Sequence, residues 1–305
     1  MDILKKPSNI ATLVLISAFV ISAGIVFADS VSTSVTVGNA TPSVGTVTIN
    51  GSSAIVLNEN TTKTATTTAT VSDSNGCSEI SAVLMDFYRS GVTAGSCDTG
   101  GEADNNSCYP QVICTEVASG NTCDGGVDTS VDYECAVDLQ YYADPTDSGS
   151  FSVQTWEATI SVGDGTATST GTDNEELNTL QALNVTSSIG YGALSAGADT
   201  GTTNSTTTVT NTGNVEIDPE LSGTNMASGG DTIPVGSQEY AAAPFTWGAG
   251  TDLTTSGVAL NITLPQGTSG TVPVTDDVSW GIGIPGGTPS GSYTGTNTVT
   301  AGTAQ

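Results

Sequence analysis

Lys63-Thr64-Ala65-Thr66-Thr67-Thr68-Ala69-Thr70-Val71-Ser72 puts Ala65, Thr67, Ala69 and Val71 on one side of an extended chain. Thr64, Thr66, Thr68 and Thr70 fall on the other. Successive side chains of a strand point to opposite faces, so this period of two gives one face for a core and one of hydroxyls. Threonine is β-branched and suits a strand better than a helix. The same alternation runs through Val44–Ile49, Ile80–Tyr88, Val131–Tyr142 and Phe151–Val162. The turn pairs Asn75-Gly76 and Asp164-Gly165 lie between such runs. Short strands separated by turn signals predict a β-sandwich.

Further along, Leu183–Thr186, Thr206–Thr210, Val215–Ile217, Val258–Leu264, Ser279–Ile284 and Tyr293–Val299 also read as strands. Asn211-Thr212-Gly213-Asn214 reads as a turn between two of them, and Trp247 and Trp280 as core anchors. Residues 163–176 are polar, Gly-containing and acidic, the composition of a linker or long loop. The expected fold is all-β, with two sandwich domains in tandem behind an export signal. The predicted divisions are a signal peptide over 1–28, an extended N-terminal segment over 29–41, a disulfide-containing sandwich over 42–170, and a Cys-free sandwich over 171–305.

The signal rests on Lys5 and Lys6, an uncharged apolar run from Ile10 to Phe27, and Val26-Phe27-Ala28 as a cleavage site before Asp29. Cleavage leaves no predicted membrane span. It also removes Asp2, Lys5 and Lys6, so the 31 acids and 4 bases of the whole chain become 30 and 2, a net charge of −28. Such a surface repels nucleic acid and anionic lipid and attracts divalent cations. The chain ends Ala301-Gly302-Thr303-Ala304-Gln305 without a sortase-type motif or hydrophobic tail. Attachment to a cell is therefore expected to be non-covalent, through assembly, or through residues 10–27 kept as an uncleaved membrane anchor, the competing reading of that run.

Histidine is absent, and only Lys63 and Arg89 follow the signal as cations. Imidazole-based triads, Cys-His pairs and zinc sites with imidazole ligands have no residues to build them. Carboxylates are plentiful, but Glu175-Glu176 and Asp276-Asp277 are sequence neighbours whose side chains diverge on a strand. Glycoside hydrolysis needs two carboxyls facing each other across a cleft. No catalytic residues are expected, and the chain reads as a non-enzyme.

Cys77, Cys97, Cys108, Cys114, Cys123 and Cys135 are an even set behind an export signal, which reads as disulfides. Six cysteines allow 15 pairings. The preferred one staples Cys97 to Cys108 in a loop and joins neighbouring strands through Cys114 and Cys135, which leaves Cys77 with Cys123. Asp73, Asn75 and Glu79 place oxygens in a Gly-containing turn, a candidate structural calcium site and the sole cofactor in view. Asp73 equally suits an Asx turn. Val31, Val35 and Val37 alternate in Val31-Ser32-Thr33-Ser34-Val35-Thr36-Val37. This strand either pairs within its own domain or is donated to the sheet edge of a neighbour.

The run Thr208-Val209-Thr210-Asn211-Thr212-Gly213-Asn214, with Ser279-Trp280-Gly281-Ile282-Gly283-Ile284-Pro285 and Gly291-Ser292-Tyr293-Thr294-Gly295, resembles Ig-like accessory domains of prokaryotic surface proteins. The stretches Val71-Ser72-Asp73-Ser74-Asn75-Gly76-Cys77 and Tyr88-Arg89-Ser90-Gly91-Val92 are similar to Cys-containing Ig-like domains that accompany them. The resemblance implies a secreted or cell-surface structural protein, a scaffold or surface-layer component, whose partners are other surface proteins or copies of itself. A filament subunit polymerising by strand donation and a glycan-binding adhesin are the alternatives.

Overall fold

The computed structural model describes residues 30–93, 105–125, 127–186 and 188–304. The export-signal reading over 1–28 and Cys97 fall outside them. Asn39–Gln305 is one compact unit, and the described residues 30–38 fall outside it. Val31, Val35 and Val37 have no regular secondary structure and are 85%, 88% and 77% exposed.

The chain is all-β. Its first seven strands are β1 (Ser43–Ile49), β2 (Lys63–Ser72), β3 (Ala82–Arg89), β4 (Cys108–Glu116), β5 (Ser130–Leu139), β6 (Trp156–Gly163) and β7 (Thr168–Glu175). They pair antiparallel in the order β1-β2-β5-β4-β3-β6-β7. The opening sequence run is β2, with Ala65, Thr67, Ala69 and Val71 all buried and Thr68 and Thr70 exposed.

β4 turns the corner of this sheet. Its first half pairs with β3 and its last three residues, Cys114–Glu116, pair with β5. Gln111 sits within the β3-paired part at φ 50, where the register slips between Tyr109 and Val112, two residues before the change of partner. A bulge of this kind bends a strand and lets it pass between two sheet layers. The layers then meet at their outer edges. Ile49 N–H donates to Asp173 Oδ2 at 2.9 Å and Ser169 Oγ to Pro42 O at 2.7 Å, tying β1 to β7. A Cβ at Gly171 would come within 2.7 Å of Val44, so only glycine allows that approach.

The enclosed core contains Ile49, Ile55, Met85, Phe87, Trp156, Ile160 and Leu177. Phe87 and Trp156 stack at 5.3 Å between centroids, and Trp156 Nε1 donates to Asp144 O at 2.8 Å. A buried indole needs that acceptor.

Two sequence readings are corrected here. The stretch 163–176 is not a linker: most of it is β7, paired with β6 from Trp156↔Glu175 to Gly163↔Thr168. β7 is an edge strand whose residues alternate between exposed and half-buried, so it never needed an apolar pattern. Among the anchors, Trp280 is fully buried but Trp247 is only partly so, lying against Gly283, while Trp156 anchors the first core.

The remaining strands are β8 (Leu183–Val185), β9 (Ser205–Asn211), β10 (Ile217–Gly223), β11 (Met226–Ser228), β12 (Asp231–Ile233), β13 (Gln238–Ala241), β14 (Thr251–Asp252), β15 (Val258–Ala259), β16 (Thr275–Ile282) and β17 (Asn297–Thr303). They form a five-stranded sheet β14-β13-β16-β9-β8, a three-stranded sheet β15-β10-β17 and the hairpin β11-β12. A second core contains Val209, Ile217, Leu221, Tyr240, Val278 and Trp280. Trp280 Nε1 donates to the buried Thr207 hydroxyl at 2.8 Å.

Candidate functional site

Two disulfides are seen among the described residues, Cys77–Cys123 and Cys114–Cys135. The second joins directly paired residues of β4 and β5, just past the strand's corner. Cys108 is disulfide-bonded too, and Cys97 lies outside the described residues. Tyr133, two residues before Cys135, makes no backbone hydrogen bond through its hydroxyl among the described residues. Tyr109 does, donating to Asn105 O at 2.8 Å.

Asp73 and Asn75 form an Asx turn. Asp73 Oδ1 accepts the Asn75 N–H at 2.7 Å, and Asn75 Oδ1 accepts the Ala40 N–H. Asp73 is 1% exposed, and its Oδ2 is buried without a hydrogen-bond partner. Glu79 is exposed on the short helical turn Cys77–Glu79. Among the described residues no three His, Cys, Asp or Glu side chains gather as metal ligands would.

The sequence Asn211-Thr212-Gly213-Asn214 connects β9 to β10, as the turn reading expects, and is also the buried clamp between the two sheet systems. Asn211, Thr212 and Asn214 are all fully buried. Asn214 Nδ2 donates to Ala143 O at 3.0 Å and Asn178 O at 3.1 Å, while its Oδ1 accepts the Leu180 N–H at 2.6 Å. Asn211 Nδ2 reaches Val215 O, Leu264 O and Pro265 O. A Cβ on Gly213 would lie 2.1 Å from Leu180 O, so glycine is obligatory there. Thr212 Oγ1 bonds Glu59, and its carbonyl accepts the Asn60 N–H. A second clamp lies alongside. Asn106 Nδ2 donates to Tyr142 O and Gly267 O, both at 2.9 Å. Gln266 Nε2 donates to Tyr142 O at 2.7 Å and Asp144 Oδ1 at 3.1 Å. Arg89 completes it, bonding Asp144 and Gln154 and lying over the Phe151 ring.

An open cleft of about 380 Å³ lies between the free edges of β8 and β17. Val185, Ile189, Tyr191, Met226 and Val299 line it, and Trp280 forms its floor. Gln238 is among the residues bordering this cleft although it is only 2% exposed. Its Oε1 accepts from Tyr191 Oη at 3.0 Å and Asn297 Nδ2 at 2.9 Å, and its Nε2 has no partner. Burial pushes the Tyr191 phenol well above its ordinary range, so it stays a neutral donor. A second cleft of about 560 Å³ continues past the shared residues Tyr191 and Met226 toward Ile233 and Ile284. Sequence reasoning missed Gln238: a glutamine between Ser237 and Glu239 in a polar stretch carries no pattern that marks it as buried.

The chain is thus an all-β, disulfide-bonded protein with a sandwich-like fold. Among the described residues no helix is long and apolar enough to cross a membrane. No family model matches it, and no curated protein does. Among solved structures it is similar to a chain described as BspA_C_mut, with 10% identity over 83% of this chain and 90% of that one, at a TM-score of 0.22. A likeness at that level carries no argument about function.

Proposed function

We propose that this is a non-catalytic extracellular or cell-surface structural protein, a scaffold or surface-layer component built from two Ig-like sandwiches. The observation that carries the reading is the use made of its buried carboxylates. Asp144 pairs with Arg89, Asp218 accepts the Ile262 N–H, and Glu239 accepts the Gly248 and Gly250 N–H groups. Asp73 holds the Asx turn. Each is committed to holding backbone or a neighbouring side chain in place. Reactive carboxylates would instead face each other or a nucleophile across a cleft.

The absence of histidine and the scarcity of lysine and arginine point the same way. The disulfides and the export-type N-terminus support an oxidising, extracellular setting. The two polar clamps hold the sandwiches together as one stiff body, a property that suits a spacer. Intact-mass and N-terminal analysis of protein recovered from the producing cells tests this reading. A chain starting at Asp29 with no free thiols supports it. A chain retaining residues 1–28 with reduced cysteines contradicts it.

A further inference from the structure

The two sheet systems differ in how they close. In the first, β1 packs onto β7 and seals the core through the Ile49–Asp173 and Ser169–Pro42 hydrogen bonds. In the second, among the described residues, β8 pairs only with β9 and β17 only with β10, so each ends its sheet beside the cleft. Val185 and Val299 line the cleft and stay only partly buried.

We propose that this cleft accepts Val31–Val37 of a second copy as an added strand. The inference deepens the surface-structural reading by naming what the protein assembles with. Three features select this occupant. Val31–Val37 pairs with no strand among the described residues and exposes its valines. Val31, Thr33, Val35 and Val37 fall on one face of a strand, so the face offered is apolar and β-branched. Neither the segment nor the residues lining the cleft include a charge, in a chain with 31 acids and 4 bases. Copies repelling one another through their acidic surfaces can join only where both partners are neutral.

Asn39 and Ala40, the first residues of the compact unit, are anchored through Asp164 and Asn75. Seven residues of strand reach roughly 23 Å, enough to span the groove of a neighbour. Strand addition supplies main-chain hydrogen bonds for affinity and alternate side chains for register. Because donor and acceptor lie on different parts of the surface, the contact is head-to-tail and repeats into a fibre unless the rotation closes a ring.

Light scattering compares the chain starting at Asp29 with one starting at Asn39, which is a compact unit by itself. The longer chain is expected to gain mass with concentration and the shorter one to stay monomeric. A synthetic peptide of Ser30–Gly38 is expected to bind the shorter chain one to one. Val35→Asp in the peptide should weaken binding about tenfold or more. Val299→Asp in the cleft should do the same while leaving the far-UV circular dichroism unchanged. If that variant fails to fold, the peptide variant alone decides. A longer chain that stays monomeric at every concentration, or peptide binding indifferent to Val35→Asp, overturns the proposal. Either result leaves surface location untouched, so it is separable from the failure of the structural reading itself.

Discussion

Arg89 donates through Nε to Asp144 Oδ2 at 2.9 Å, with the two side chains only 12% and 8% exposed. The other carboxylate oxygen, Oδ1, accepts from Gln266 beyond the clamp. One of the two cations beyond residue 28 is therefore held at the junction of the sheet systems. Phe151 covers its guanidinium and Gln154 takes another of its donors.

Arg89→Met should be strongly destabilising, by about 3 kcal/mol or more, because it strands a buried carboxylate. Chemical denaturation of the oxidised protein measures this. The double variant Arg89→Met/Asp144→Leu should recover part of the loss. A single variant within about 0.5 kcal/mol of the parent would contradict the assignment.

Asn214→Ala removes two buried amide donors and an acceptor that bridge the sheet systems. The expected cost is about 2–3 kcal/mol, because Ala143 O, Asn178 O and Leu180 N–H lose their partner. Calorimetry should show the melting transition broaden or divide as the two cores lose their coupling. A sharp, unshifted transition would place the coupling elsewhere.

Stability should fall in acid. The Thr70 hydroxyl, and then the Asn121 N–H, hold the Asp132 carboxyl below its ordinary range. Asp164 is held down by the Ala167 N–H first, then the Asn39 amide and the Thr166 N–H. A carboxyl depressed in the folded state stabilises fully above its unfolded pKa and loses that contribution as pH falls through the folded one. The loss should therefore begin near about pH 4 and continue downward. Both groups are exposed, so the effect is modest and screened by salt. Melting temperatures of Asp132→Asn/Asp164→Asn should depend less steeply on pH across that range.

Added calcium should leave the melting temperature unchanged. Asp73 Oδ1 and Asn75 Oδ1 already accept backbone N–H groups, and Glu79 is exposed. A hard cation needs six or more oxygens, and those oxygens are committed. A calcium-dependent rise that is lost in Asp73→Asn would instead put the ion at the unpaired Oδ2.

Much of the first sheet system was readable from alternation alone. The period-two runs at Lys63–Ser72 and Phe151–Val162 overlap β2 and β6, because one face of each strand is buried and the other is not. β7 was misread because an edge strand needs no apolar face. Asn211–Asn214 is legible as the turn between β9 and β10, but composition cannot tell a solvated amide from a buried one that reaches three carbonyls, so its clamping role is not. Gln238 was invisible for the same reason. Its importance comes from what surrounds it across three distant segments, Tyr191, Asn297 and Trp280.

Immunogold labelling of intact, unpermeabilised producing cells tests the surface-structural account most directly. Dense label on the outer face or on appendages leaving it is the result expected. Label confined to the cell interior after permeabilisation would contradict it.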